Sequence, residues 1–133
     1  MTTMYQVNVA TIAEQSGDFR RVVWTGKHAQ LVIMTISPGG EIGEETHYET
    51  DQILTFVSGS GEADIAGQTN QVNQGDLVAV PAGTRHNFRN TSVNPLVLYT
   101  VYGPPNHADA AVHATKQDAD AAEESGQDQP PTE

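Results

Sequence analysis

Gly39-Gly40-Glu41-Ile42-Gly43-Glu44-Glu45-Thr46-His47-Tyr48-Glu49-Thr50-Asp51-Gln52-Ile53-Leu54-Thr55-Phe56-Val57-Ser58-Gly59 is the stretch on which the fold turns. At its centre Glu45 and His47 stand two residues apart. On an extended strand both point to one face, with Cα atoms roughly 6–7 Å apart at about 3.3 Å of rise per residue. That spacing lets a carboxylate and an imidazole converge on one ion held about 2.0–2.2 Å from each donor atom. A helix does not set i and i+2 side by side. From Gln52 to Val57 the residues alternate, with Ile53, Thr55 and Val57 on one face and Gln52, Leu54 and Phe56 on the other.

Outward from this stretch the chain reads as short strands broken by Gly, Pro and Asn. Upstream, residues 5–12 alternate apolar and polar and predict a strand, followed by a turn from Glu14 to Asp18 around Gly17. Phe19 to Thr25 and the β-branched run Gln30 to Ser37 predict two more strands. Downstream, the expected strands are Glu62 to Ala66, Leu77 to Val80, His86 to Asn90 and Leu96 to Tyr102, with turns at Gly67–Asn70, Gly75-Asp76 and Pro81–Thr84. No helical period is read before residue 108. Short strands at this spacing predict an all-β sandwich or barrel. Ser58-Gly59-Ser60-Gly61 fits neither a hydrolase nucleophile turn nor a dinucleotide-binding turn.

Composition narrows the chemistry. The 133 residues suffice for one core, and there is no cysteine, which excludes disulfides and thiolate ligands. The formal charge is −11. Residues 1–107 carry ten Asp/Glu against five Lys/Arg, and residues 108–133 carry seven against one. Without a cationic stripe, nucleic acid and membrane surfaces are not expected partners. The start lacks a signal-peptide pattern and no apolar run is long enough to span a bilayer, so a soluble cytoplasmic protein is expected. The organisation predicted is a barrel domain over 1–107 and an acidic, Ala-rich tail over 108–133. In the tail, Thr115 caps a short helix to about Glu124, Gly126 stops it, and disorder follows. A chain ending at His107 is expected to fold normally.

Two motifs carry a family resemblance. Gly39, five residues, Glu45-x-His47, four residues, Gln52, six residues and Gly59 resemble the first motif of the cupin superfamily. Glu45 stands there in place of a His, and Gln52 in place of a Glu. Gly75, five residues, Pro81-x-Gly83, two residues, His86, three residues and Asn90 match its second motif throughout. The Ile42-Gly43-Glu44-Glu45-x-His47 run, Asp51-Gln52 and Tyr102-x-Pro104-Pro105-x-His107 further resemble small bacterial cupins akin to the cupin part of mannose-6-phosphate isomerases. The resemblance implies a double-stranded β-helix, or jelly roll. It also implies one divalent metal ion (Fe, Mn, Ni or Zn) held by Glu45, His47 and His86, with Gln52 in or beside the ligand set. A homodimer is implied as well.

Strand parity places other residues. Leu54, Phe56 and Phe88 share the parity of Gln52 and His86 and are expected to line a small, largely apolar pocket for a small-molecule ligand. Asp51, Arg85 and Arg89 have the opposite parity and are expected outside. His107 is read as a surface residue, with folding back over the barrel mouth as the alternative. Two His and one carboxylate on one side of an ion suit Fe(II) with open positions. The function expected is therefore that of a metal-dependent dioxygenase or related oxidoreductase acting on a small molecule. The alternatives are a sugar or keto-acid isomerase or epimerase, with Glu45 or Glu49 moving a proton, and a binding module without catalysis.

Overall fold

The structure is a computed structural model that describes residues 4–131. The first three residues and the last two, on which the expectations for the start and the acidic end partly fall, lie outside the described residues. In chain order the elements are α1 (Val9–Ser16), β1 (Arg20–Thr25), β2 (Gln30–Ile36), β3 (Asp51–Ser58), β4 (Ser60–Ile65) and β5 (Gln68–Asn73). They continue with β6 (Leu77–Val80), β7 (His86–Arg89), β8 (Leu96–Gly103), β9 (Val112–His113) and α2 (Lys116–Glu124).

The strands form two antiparallel sheets, ordered β6-β3-β8-β2-β1-β9 and β5-β4-β7. Between them lies the core, in which Val32, Met34, Leu54, Phe56, Phe88, Leu96, Leu98 and Tyr102 are buried. This is the double-stranded β-helix that the family resemblance implied; the strand pattern by itself left sandwich and barrel open. The chain crosses from the large sheet to the small one at Gly59, and then runs close to a neighbouring strand. A side chain at Gly61 would collide with the Arg89 carbonyl, so the close approach of β4 to β7 requires glycine. Parity holds on β3, where Gln52, Leu54 and Phe56 are buried.

The strand expected over residues 5–12 is not formed; α1 takes its place. The alternation there hid a second spacing: Val9, Ile12 and Ala13 stand at i, i+3 and i+4 and share one helical face. That face packs on Ile33, Val97 and Tyr99, covering the outer side of the large sheet. Asn8 caps α1 by accepting from the Thr11 N–H at 3.1 Å, and Gly17 ends it. The turn expected from Glu14 is therefore the last turn of a helix.

The tail also departs from expectation. The predicted helix forms as α2, with the Thr115 hydroxyl accepting from the Asp118 N–H at 3.1 Å. Yet the tail is packed against the barrel. β9 adds to the edge of β1, Ala119 is buried in the main core, and Asp128, where disorder was expected, is buried too. The marginal apolar content of α2 is offset by pairing that residues 108–133 cannot supply alone: Val22 donates to the Ala111 carbonyl at 2.8 Å and Phe19 to that of Ala114 at 3.1 Å. Among the described residues, no helix is long and apolar enough to cross a membrane.

Candidate metal centre

The segment before β3 is not a regular strand, but two bridges lay it against β7. Glu41 lies opposite Arg89, and Glu45 lies opposite His86. Three steps along one strand match four along the other, so one extra residue bulges out between the bridges. Gly43 sits in that bulge with φ of 111°, a conformation that disfavours any side chain. Its N–H donates to the Asn87 Oδ1 at 2.9 Å. A bulge re-aims the side chains beyond it, and here it sets Glu45 beside His86. The Glu45 and His86 backbones then exchange two hydrogen bonds of 2.9 Å. His47 is fixed one step further, its carbonyl accepting from the Gly83 N–H at 2.8 Å.

This brings one ligand atom each from Glu45, His47 and His86 within 4.8 Å of one another. Donor atoms around a single ion stand about 3–4.4 Å apart, so the cluster is close to ligating geometry. The His47 and His86 rings lie 5.2 Å apart, centroid to centroid. His86 Nδ1 is 2.9 Å from the Thr84 carbonyl. Donation to that oxygen puts the proton on Nδ1 and leaves the Nε2 lone pair for a cation. His47 Nε2 is buried without a hydrogen-bond partner and stands 4.0 Å from Glu45 Oε1, too far to bond.

Gln52 is buried, donates from Nε2 to Thr100 Oγ1 at 3.2 Å, and leaves its Oε1 buried and unpartnered. An orphaned imidazole nitrogen and an orphaned amide oxygen are costly in a core unless something else satisfies them. Electrostatics agree with the geometry. Burial pushes the Glu45 carboxyl up to about 7, against a smaller opposing effect of Arg20. Burial, followed by the charges of His86, His107 and Arg20, holds the His47 imidazole down at about 4. A neutral imidazole is ready to ligate, and a half-buried carboxylate calls for a cation. The residues thus fit the divalent ion that the donor set implies.

The pocket differs from the apolar one expected. Leu54, Phe56 and Phe88 point inward, but they are fully buried packing, with Phe88 6.0 Å from the His86 ring, and none of the three reaches the cavity wall. The cavity beside Glu45 and His47, about 330 Å³, is polar instead, walled by His107 and by Glu123, Asp128 and Pro130 of the tail. The reason is topological: the two sheets close on the aromatic core, and the mouth is roofed by the tail. Asp51 faces out, as its parity requires, and accepts from the Ala82 N–H at 2.8 Å. Arg85 and Arg89 are also external, Arg89 paired with Glu62 at 2.8 Å and Asp64 at 2.7 Å.

His107 is corrected from the surface to the interior. Gln30, itself fully buried, accepts from the His107 N–H at 2.9 Å and donates to its carbonyl at 2.9 Å. The ring stacks edge-on with Tyr102 at 4.9 Å, and Tyr102 in turn with His47 at 5.8 Å. Of these residues, Gln30 and Asp128 carried no local signal. A buried glutamine in a strand and one aspartate among seven tail acids look unremarkable until the chain is folded.

Comparison with known proteins agrees with this architecture. The family model described as "Cupin domain" matches residues 32–102. Bacillus subtilis YrkC, an uncharacterized protein, is 40% identical over 126 residues, covering 90% of this chain and 68% of that protein. The crystal structure of BH2720 from Bacillus halodurans superposes with a TM-score of 0.89 at 37% identity, covering 90% of this chain and 96% of the other. A mannose-1-phosphate guanylyltransferase of Salmonella montevideo is 28% identical over 76 residues, 57% of this chain but 16% of that enzyme. From its two motifs, its two-sheet barrel and these matches, the chain belongs to the cupin family.

Proposed function

We propose that the protein is a metal-dependent cupin of the iron type, an oxidoreductase acting on a small molecule, with Glu45, His47 and His86 holding one divalent ion and Gln52 beside it. One observation carries this reading: three ligand atoms converge within 4.8 Å while His47 Nε2 and Gln52 Oε1 are buried without partners. A carboxylate and two neutral imidazoles suit Fe(II), and also Mn, Ni or Zn. When bound, a redox-active ion of this kind supplies electron transfer to or from a coordinated small molecule. The chain's own part is to hold the donors in place, through the Gly43 bulge and the Thr84 carbonyl, beside a polar cavity that Glu45 and His47 line. A cytoplasmic homodimer belongs to the same reading. The open edge of β6, where Leu77 is 61% exposed beside Ile53 at 43%, supports the pairing.

The test is metal content by mass spectrometry on untagged protein purified without oxygen, beside a His47→Ala/His86→Ala variant. Near one ion per chain, lost in the variant, is the expected result. With iron bound, oxygen consumption in the presence of small-molecule panels tests the oxidoreductase half. No stoichiometric metal after reconstitution would end the metalloenzyme reading.

A further inference from the structure

The cavity at the metal centre has a second polar feature that the ligand set leaves unused. His107 Nδ1 lies 2.7 Å from Asp128 Oδ2, and each side chain is only 4% exposed. The other Asp128 oxygen accepts from the Ala108 N–H at 2.9 Å. Both carboxylate oxygens are therefore occupied, and the aspartate cannot turn away from the ring. Burial holds the His107 imidazole below its usual range despite the hydrogen bond to Asp128. Asp128 stays below its own range because the His107 and Ala108 hydrogen bonds outweigh its burial. The pair is a neutral imidazole, protonated on Nδ1, beside a carboxylate. Its Nε2 is thereby an obligate acceptor, and it is buried with no partner among the described residues.

The wall around it is one-signed. Glu44, Glu45, Glu123 and Asp128 line the cavity, and no Lys or Arg does. Arg20, whose charge acts on Glu45, His107 and Asp128, is buried and is not part of the lining. Lys116 is engaged with Asp120 at 2.7 Å. A dianion entering this cavity meets four carboxyl groups and an acceptor nitrogen and no Lys or Arg, with only the neutral donors of Thr46, Asn106 and Gln129 to receive it. An uncharged molecule with an O–H donor meets what it needs.

We propose that His107, locked by Asp128, is a ligand-recognition residue: its Nε2 accepts a hydrogen bond from a hydroxyl of an uncharged small molecule bound in the Glu45–His47 cavity. Anions such as dicarboxylates and sugar phosphates are selected against. The inference rests on the metal-centre reading, since the ion supplies the ligand's other contact. It deepens that reading by naming the ligand class.

Two chelating probes separate the possibilities on cobalt-loaded full-length protein near pH 7. Acetohydroxamic acid enters as the neutral acid, releases its O–H proton to the buffer on chelating through its two oxygens, and keeps an N–H donor; oxalate is a dianion with no donor. Binding is followed by the cobalt absorption bands and by calorimetry. Wild type is expected to bind the hydroxamic acid at least about tenfold more tightly than oxalate, relative to the two probes' affinities for free cobalt. His107→Phe is expected to lose about tenfold of hydroxamic-acid affinity with metal stoichiometry and oxalate affinity unchanged, and His107→Gln, which keeps an acceptor, to recover part of it. Asp128→Asn, which frees the tautomer, is expected to weaken the same preference and serves if the Phe variant does not fold. Unchanged hydroxamic-acid affinity in these variants, or an equal fall for both probes, would overturn the role of His107 while leaving the metal centre standing. Failure of wild type to hold cobalt at all would instead overturn the metal reading, and this inference with it.

Discussion

His107 and Asp128 lie 21 residues apart in sequence and 2.7 Å apart in the fold, so the chain end is bonded to the residue where the barrel ends. Replacing Asp128 by Ala leaves the His107 Nδ1–H and the Ala108 N–H buried without acceptors. The expected cost is about 1–3 kcal/mol. Ending the chain after His107 is expected to cost more, because it also removes β9 from the edge of β1 and Ala119 from the core. Urea titration of the three chains checks this. A truncated chain as stable as the full one would mean that these contacts carry no net stability.

Glu45 makes the stability of the metal-free protein depend on pH. Its carboxyl is raised from 4.5 to about 7 by burial. A raised carboxyl favours folding below the unfolded value, and that contribution is lost as pH climbs from there through the folded value. Relative to Glu45→Gln, chelator-treated wild type should lose about 2–3 kcal/mol between about pH 5 and pH 8. Comparing the two chains cancels His47 and His107, whose lowered values act in the opposite direction. Urea midpoints that run parallel across this range would show that Glu45 is not held protonated. A saturating divalent ion should reverse the order at the higher pH, since binding to the folded state stabilises it by about 2.7 kcal/mol at a hundredfold excess over Kd.

Gln52→Leu separates stability from metal affinity. The substitution removes a buried, unpartnered oxygen and also the donor to Thr100. These effects oppose each other, so the metal-free protein should change by less than about 1.5 kcal/mol. Metal affinity should fall about tenfold or more, as it does when a residue that ligates or orients a ligand is lost. Competition with a chromophoric chelator measures it. Unchanged affinity would put Gln52 out of reach of the ion.

Gly43→Ala should lower both stability and metal affinity. The positive φ at Gly43 is strained for alanine by about 1–3 kcal/mol, and the Lys116 side chain lies 3.4 Å from where the new Cβ would stand. Relief by flattening the bulge would turn Glu45 away from His86. Calorimetric melting with and without metal reads both effects. A lower melting temperature with intact metal affinity would make the bulge architectural only.

The barrel strands and the shared face of Glu45 and His47 were legible in the sequence because they depend on local rules, and His86 was added to them by the resemblance to the second cupin motif. Alternation tells which face of a strand is buried, and glycine and proline mark where strands end. The i, i+2 spacing of Glu45 and His47 survives even though their segment meets β7 only at isolated bridges, because an extended backbone keeps the parity. Residues 5–12 misled because a short segment satisfies period 2 and period 3.6 together. The partner decides between them: the outer face of the large sheet needed cover, and Val9, Ile12 and Ala13 supply it as a helix.

What the sequence alone determined was the all-β class, the inward parity of Gln52, Leu54 and Phe56, and the shared face of Glu45 and His47, each from residue type and local spacing. His86 was joined to that pair by the resemblance to the second cupin motif. What only the tertiary structure decided was where the cavity lies and what walls it. Leu54, Phe56 and Phe88 became packing because the sheets close over them, and the polar cavity formed where the tail crosses the mouth. His107 became interior because Gln30, 77 residues away, binds its backbone and Asp128 its ring. Such contacts join segments whose separation in the chain carries no periodic signal, and burial gives them their chemistry by removing water from the alternatives.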